Sequence, residues 1–147
     1  MSGTHGSHFL GVCPIDQLPS LPLSTSPKTT GFCFIVNTDP SNLPGVHWLA
    51  VYIDANKRRP GEVFDSYGRP PPLQLQRWLS KHCREWVYTK RFIQGPLTDL
   101  CGVYCIFVLD ERCTTGMTFA EIVKMHFGAD ATKNDAKMQR YLKVITQ

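Results

Sequence analysis

Runs of apolar residues in the first half of the chain predict β-strands. Residues 32–37 (FCFIVN) and 47–54 (HWLAVYID) are rich in β-branched and aromatic side chains, which is typical of strands. Residues 62–67 (EVFDSY) form a third run after the polar turn ANKRRPG, whose proline and glycine end regular pairing. Residues 14–31 are rich in Pro, Ser and Thr and predict an extended arm that lies on the body of the protein.

The second half of the chain has mostly helical spacing. A helix is predicted over 73–83 and a short strand over 85–90, followed by an apolar helix over 100–112. Two further helices are predicted. The first begins at a capping box formed by Thr118 and Glu121 and ends near Gly128. The second is indicated by apolar residues at helical spacing: Met138, Tyr141, Leu142 and Ile145. Strands followed by helices favour an α+β fold over a regular βαβ series.

Length and composition narrow the class of protein. A chain of 147 residues with 42% hydrophobic and 19% charged residues predicts a single folded domain, 1–147, rather than a disordered chain. No apolar run reaches membrane-spanning length and the start lacks a secretory pattern, so we expect neither a membrane partner nor secretion. The six cysteines are therefore expected to be mostly thiols, and the net charge of +4 is only a mild basic excess.

Cys101 is the candidate nucleophile. It begins the apolar helix, where exposed N–H groups and the helix dipole favour a thiolate, and Gly102 leaves room for a substrate. Asp99 is a candidate cap for this helix. The alternative is a buried structural thiol, the more common role of a cysteine beside an apolar run.

His47 and Asp65 are a candidate base and its orienting acid. If the second and third strands form an antiparallel hairpin, residue 65 falls opposite residues 47 and 48. Asp54 lies seven residues along the strand from His47, roughly 23 Å at about 3.3 Å per residue, and is too far to orient the ring. The alternative is a solvated histidine near an ordinary turn aspartate. Gln94, before Gly95 and seven residues before Cys101, is a candidate oxyanion donor.

The series GVHWLAVYID, VFDSYG and IQGPLTDLCGVYCIFVL resembles the adenovirus protease (adenain) family, within the clan of ubiquitin-like-protein proteases. HFLGV near the start, FIVNT and the last helix resemble adenain segments in the same order. The resemblance implies a papain-like α+β fold, with a central mixed sheet, surrounding helices and the nucleophile at a helix N-terminus. Asp65 stands where adenoviral enzymes usually have Glu, and the chain is shorter than adenain. A compact member from another adenain-bearing virus or virus-like element is therefore expected.

The resemblance also implies roles for residues. Cys101 would be the nucleophile, His47 the general base, Asp65 its partner and Gln94 the oxyanion donor, with Trp48 packed near the site. The implied activity is a cysteine endopeptidase that cuts viral precursor and capsid proteins at glycine-containing sites, as a monomer in the host nucleus and virion. A ubiquitin-like isopeptidase and a catalytically silent binding module are the alternatives.

The same resemblance implies two activators of the enzyme. Cys83 lies eleven residues before Gln94, the offset at which adenain forms a disulfide with a short activating viral peptide; the alternative is a thiol at a helix end. DNA, a second activator of adenain, would contact a set of basic residues that otherwise form a solvated face: Arg58, Arg59, Lys90, Arg91, Lys133, Lys137 and Arg140. His5, His8 and Cys13 lack the spacing and the fourth ligand of a metal site, and no metal is expected.

Overall fold

The computed structural model describes residues 6–21, 28–39, 42 and 47–147. Their order in the chain is four strands, a helix, a fifth strand and three helices. The bounds are β1 (Ser7–Pro14), β2 (Gly31–Asn37), β3 (Trp48–Asp54), β4 (Gly61–Phe64), α1 (Leu73–His82), β5 (Trp86–Tyr88), α2 (Cys101–Thr115), α3 (Phe119–His126) and α4 (Ala131–Ile145). Within these residues no helix is long and apolar enough to cross a bilayer.

The strands form one mixed sheet in the order β1-β2-β3-β4-β5. The two outer pairs, β1 with β2 and β4 with β5, are parallel, and the inner pairs are antiparallel. Alternation along the strands divides the core into two clusters. Cys33, Ile35 and Ala50 face α2, α3 and α4, whereas Phe34, Val36 and Leu49 face α1. The mixed sheet with helices on both faces confirms the predicted α+β class.

Helix α2 is fixed to the sheet by a buried ion pair. Arg112 Nε, near the end of α2, donates to Glu62 Oε2 of β4 at 2.9 Å, and both side chains are less than a tenth exposed. The guanidinium also lies 4.0 Å from the centre of the Tyr52 ring. Glu62 Oε1 accepts the N–H of Phe119 at 2.7 Å, so one carboxylate joins β4, α2 and α3.

Two features of the sheet differ from the sequence predictions. Strand β1 was not predicted, because its side chains are mostly half-buried and its register shifts between Phe9 and Val12, where Gly11 has a φ of 97°. The hairpin register also differs. Phe64 pairs with Ala50, so the pairing ends before Asp65 and residue 65 does not lie opposite 47 or 48 as predicted.

The start of the predicted arm packs on the sheet. Pro19 O accepts the indole N–H of Trp78 at 2.8 Å, and Ile15, Leu18 and Leu21 contact the cluster beneath α1. Residues 22–27 of this prediction lie outside the described part of the chain.

Candidate active site

His47 and Asp65 meet at the end of the β3–β4 hairpin. The His47 carbonyl accepts the N–H of Thr38 at 2.9 Å, which fixes the residue just before β3. After β4 the chain turns sharply: Gly68 N donates to Asp65 O at 2.8 Å, and Gly68 has a φ of 67°. A side chain at Gly68 would also collide with the backbone of Arg91. The tight turn directs the Asp65 carboxylate back toward the start of β3.

The imidazole of His47 is oriented from two directions. Its Nε2 lies 2.7 Å from Asp65 Oδ1, and this oxygen also accepts the N–H of Tyr67 at 2.8 Å. The Tyr67 ring stacks on the imidazole, with centroids 5.0 Å apart and planes 22° from parallel. Both polar residues are less than a tenth exposed. A carboxylate on one edge and an aromatic ring on one face leave Nδ1 as the nitrogen that can serve a second partner.

That second partner is Cys101. Cys101 lines the same cleft of about 340 Å³ as His47, and its thiol is one of the groups that raise the pKa of the ring. Burial opposes the imidazolium, but the hydrogen bonds to Asp65 and Cys101 outweigh it and raise the pKa of His47 to about 9. The ring is therefore protonated at neutral pH, between an acid and a thiol, which is the arrangement that nucleophilic catalysis by cysteine requires.

Cys101 is the first residue of α2 and is 5% exposed. The N-cap is Leu100, which offers no capping side chain, so the predicted cap by Asp99 is wrong. Asp99 instead lines a cleft of about 340 Å³ together with Cys101 and His47. The Trp48 ring lies across Gly102, where an added Cβ would be 3.8 Å from Trp48 Cδ1, so Trp48 packs near the site as expected. Because α2 begins without a capping side chain, backbone N–H groups of its first turn have no intrahelical acceptor at the end of the helix that lines this cleft.

Gln94 is buried in the loop that leads to Cys101. Its Oε1 accepts a short hydrogen bond from the Ser66 hydroxyl, while its Nε2 donates to Thr98 O at 3.0 Å and Thr98 Oγ1 at 2.9 Å. The backbone N–H groups of Ile93 and Gln94 both donate to Ser66 O. Ser66, next to Asp65, thus ties the Gln94 loop to the His47–Asp65 pair, and the amide lies in this loop with its donors directed at Thr98.

The last helix holds this loop from the other side. Asp135 Oδ2 accepts the N–H of Gly95 at 3.0 Å, and its Oδ1 accepts the hydroxyl of Tyr104, in α2, at 2.7 Å. Asn134 Nδ2 donates to Ile93 O at 3.0 Å. Sequence reasoning missed Asp135 and Asn134, since polar residues near the start of a helix are usually exposed or cap it. Tyr67 was also missed, although it stands in the VFDSYG segment beside Asp65.

The remaining candidates lie away from the His47–Cys101 pair. Cys83 follows α1 and is 9% exposed, and a Cβ on Gly61 would lie 2.7 Å from its sulfur. Burial raises the pKa of this thiol. Cys33, Cys105 and Cys113 belong to the core, as predicted. Of the three residues whose spacing argued against a metal site, His5 lies outside the described residues. In the described part of the chain no cluster of three potential metal-binding side chains occurs.

The predicted DNA contacts are mostly exposed, but two have partners within the protein. Arg91 Nη2 donates to Phe127 O at 3.2 Å, and Lys137 Nζ donates to His126 O at 3.1 Å. The other five side chains of the set are exposed: Arg58, Arg59, Lys90, Lys133 and Arg140. DNA binding stays a prediction.

Comparison with known proteins relates the chain to a viral cysteine protease. It is 28% identical over 91 residues to the cysteine protease of African swine fever virus (isolate Tick/Malawi/Lil 20-1/1983), covering 55% of this chain and 33% of the relative. A crystal structure of the pS273R protease of that virus superposes with a TM-score of 0.51 and 24% identity, covering 65% of this chain and 38% of the other.

A SUMO protease structure, Ulp1, aligns with a TM-score of 0.40 and 21% identity over 57% of this chain and 42% of that one. No protein-family model matches the chain. The chain spans about one third of the length of the viral relative. The chain is therefore similar, over part of its length, to a viral cysteine protease, while its activity, the adenain relationship and a single domain over 1–147 stay predictions.

Proposed function

We propose that this chain is a cysteine endopeptidase that cleaves viral precursor and capsid proteins at glycine-containing sites, as expected for an adenain-like enzyme. The observation that carries the proposal is the position of the His47 ring, which bonds Asp65 and lines one cleft together with Cys101. The sequence likeness to a viral cysteine protease supports the same chemistry. Cys101 acts as nucleophile, His47 as acid and base, and Asp65 as the residue that orients His47.

The reaction proceeds through an acyl-enzyme. In the resting pair His47 already holds the proton of Cys101, and the thiolate attacks the substrate carbonyl carbon. The oxyanion receives the N–H of Cys101, which the uncapped start of α2 leaves without an intrahelical acceptor, and an N–H of the Gln94 amide once it turns from Thr98. The imidazolium then protonates the leaving amine. A water, deprotonated by His47, hydrolyses the thioester and restores the thiol.

The preference for glycine has a physical basis in the cleft. Trp48 and Tyr67 stand on its walls beside Cys101. Aromatic walls restrict the room for a substrate side chain, whereas glycine residues let the peptide backbone approach the sulfur closely. We therefore expect glycine next to the scissile bond.

Labelling and cleavage together test the proposal. Iodoacetamide at mildly acidic pH should label Cys101, and labelling should fall in His47→Ala, while glycine-rich precursor peptides should be cut. A reaction with ubiquitin-like vinyl sulfones, without peptide cleavage, would instead indicate an isopeptidase. Normal folding with neither labelling nor cleavage would indicate a silent binding module.

We further propose that a short viral peptide activates the enzyme through a disulfide with Cys83. The half-buried aromatic side chains of β5 lie next to this thiol, and the buried sulfur requires a local opening to react. Incubation of the protein with candidate viral peptides, with and without reductant, tests this: a mixed disulfide at Cys83 with a rise in cleavage rate is expected. No change for any peptide would contradict it.

DNA is the second proposed activator, with the host nucleus and virion as the site of action of a monomeric enzyme. Five exposed basic side chains are available for phosphate contacts. Binding to a generic duplex should weaken steeply as salt increases. Absence of binding at low salt would exclude DNA as an activator.

A further inference from the structure

Arg69 stands where three clefts of the active-site face meet. The first, of about 340 Å³, contains Cys101 and His47. The second, of about 370 Å³, is lined by Tyr67, Arg69, Phe92 and Pro96. The third, of about 390 Å³, lies on the other side of His47 and also includes Arg69. A peptide lying across Cys101 therefore passes this guanidinium.

The Arg69 guanidinium is held near Tyr67 and Asp65, and these contacts leave most of its N–H donors available to a ligand. It lies 4.9 Å from the centre of the Tyr67 ring, which favours a cation over its face. Its Nε is 3.8 Å from Asp65 Oδ2, beyond hydrogen-bonding distance, and the other oxygen of Asp65 already serves His47 and Tyr67. The Arg69 side chain is 62% exposed. Most of its five N–H donors are thus open to a ligand.

The second cleft has the chemistry of a pocket for one acidic side chain. Tyr67 and Phe92 contact each other with ring centroids 5.3 Å apart, and Phe92 is 55% exposed beside the cleft. Among the described residues that line this cleft, Arg69 alone is charged, whereas Asp99 adds negative charge to the first cleft and Asp39 and Asp65 add it to the third. Two aromatic walls suit a methylene stem, and the guanidinium suits a terminal carboxylate.

We propose that the cleft formed by Tyr67, Arg69, Phe92 and Pro96 is a subsite for an acidic residue of the peptide substrate, glutamate in preference to aspartate. The inference rests on the proposed peptidase function and specifies its substrate class: glycine at the scissile bond with a glutamate a short distance away. Glutamate is preferred because its longer stem covers more of the aromatic wall while its carboxylate reaches Arg69.

A peptide series tests the subsite. Peptides share a glycine-containing core and carry Glu, Gln or Lys at each flanking position in turn, and kcat/KM is measured at low salt. At one position Glu should exceed Gln by about two- to fivefold, the range of an exposed charge pair. Arg69→Gln should abolish this ratio and Arg69→Glu should invert it in favour of Lys. Arg58→Gln, an exposed arginine outside these clefts, is the matched control and should keep the wild-type ratio.

The outcomes separate the subsite from the peptidase function. Cleavage of the peptides with no preference for Glu at any position, or with the same preference in Arg69→Gln, overturns the subsite and leaves the peptidase intact. If no peptide is cleaved, the peptidase proposal fails, and binding of the same labelled peptides to Cys101→Ala, followed by fluorescence anisotropy, still decides the subsite. Tighter binding of the Glu peptide that depends on Arg69 supports it, and equal binding of Glu and Gln peptides overturns it.

Discussion

The two halves of the candidate site are assembled in different ways. His47 and Asp65 stand at one end of adjacent antiparallel strands, 18 residues apart, and the hairpin between them is enough to bring them together. The Gln94 loop and the start of α2 are instead held by Asp135, which arrives from α4, 40 residues after Gly95. The first half contains the groups that activate a thiol, and the second contains the donors that would meet the oxyanion.

This difference predicts that the two halves fail differently. Loss of a group in the His47 half should change the reactivity of Cys101 itself. Loss of the Asp135 contacts should leave the thiol reactive but misplace the Gln94 loop, so that turnover falls while alkylation does not. Measuring both quantities for each variant therefore separates activation from alignment.

The largest effect is expected for Cys101→Ala. Removal of the nucleophile should lower kcat by about 10³-fold or more, because no other group can form the acyl-enzyme. Cleavage of a glycine-containing peptide is the measurement. Cys13→Ser, a half-buried thiol on β1, is the control and should keep wild-type turnover. Substantial residual activity in Cys101→Ala would place the nucleophile elsewhere.

Asp65→Asn should have the second largest effect, a loss of about 10²- to 10⁴-fold in kcat/KM. The amide keeps the size of the side chain but loses the charge that holds His47 as the imidazolium. The rate of alkylation of Cys101 by iodoacetamide at pH 6 should fall with it. An unchanged alkylation rate would show that the reactivity of Cys101 does not depend on Asp65.

Much of the first half could be predicted from the sequence. The apolar runs around His47 and Asp65 predict a hairpin, and a hairpin limits which acid can reach the ring. The predicted register of the hairpin was wrong by one or two residues. The two side chains still meet, because the turn at Gly68 directs the Asp65 carboxylate toward the start of β3. Local pattern was therefore sufficient there.

The second half could not be predicted in the same way. The apolar spacing of α4 is visible in the sequence, but the burial of Asp135 depends on Gly95 and Tyr104, which lie far away in the chain. The prediction that Asp99 caps α2 was wrong because Leu100 separates Asp99 from the helix. The distant partner of a polar residue can be predicted only when the packing of the helices and loops against each other is known.

Asp135→Ala tests alignment. Removing the carboxylate leaves the Gly95 N–H without its acceptor and the Tyr104 hydroxyl with only the longer bond to Ile93 O at 3.4 Å, and kcat/KM should fall by about 10- to 100-fold as the Gln94 loop shifts. Tyr104→Phe, which removes only the link to α2, should cost less. Alkylation of Cys101 at pH 6 should stay within about twofold of wild type in both. A parallel loss of alkylation in Asp135→Ala would mean that the two halves are not separable.

The pH dependence of folding tests the His47 half alone. The pKa of His47 rises from 6.5 to about 9 in the folded protein, so the stability it provides is fully present below pH 6.5 and is lost as the pH rises through about 9. Relative to His47→Gln, the wild type should lose on the order of 2–3 kcal/mol of unfolding free energy between pH 6 and 10. Urea titrations across this range give the measurement. A constant difference between the two proteins would show that the ring is not held as the imidazolium.

The smallest effect is expected from Thr118→Ala, which lies in neither half. Thr118 caps α3 in a reciprocal capping box with Glu121, and the cap should contribute about 1 kcal/mol. Its loss should lower the unfolding free energy by that amount in urea titrations and leave both kcat/KM and alkylation unchanged. The variant therefore calibrates Asp135→Ala, because it shows how much activity a comparable loss of stability removes by itself. If Thr118→Ala lost turnover as Asp135→Ala does, general destabilisation would explain both, and the assignment of alignment to Asp135 would have to be abandoned.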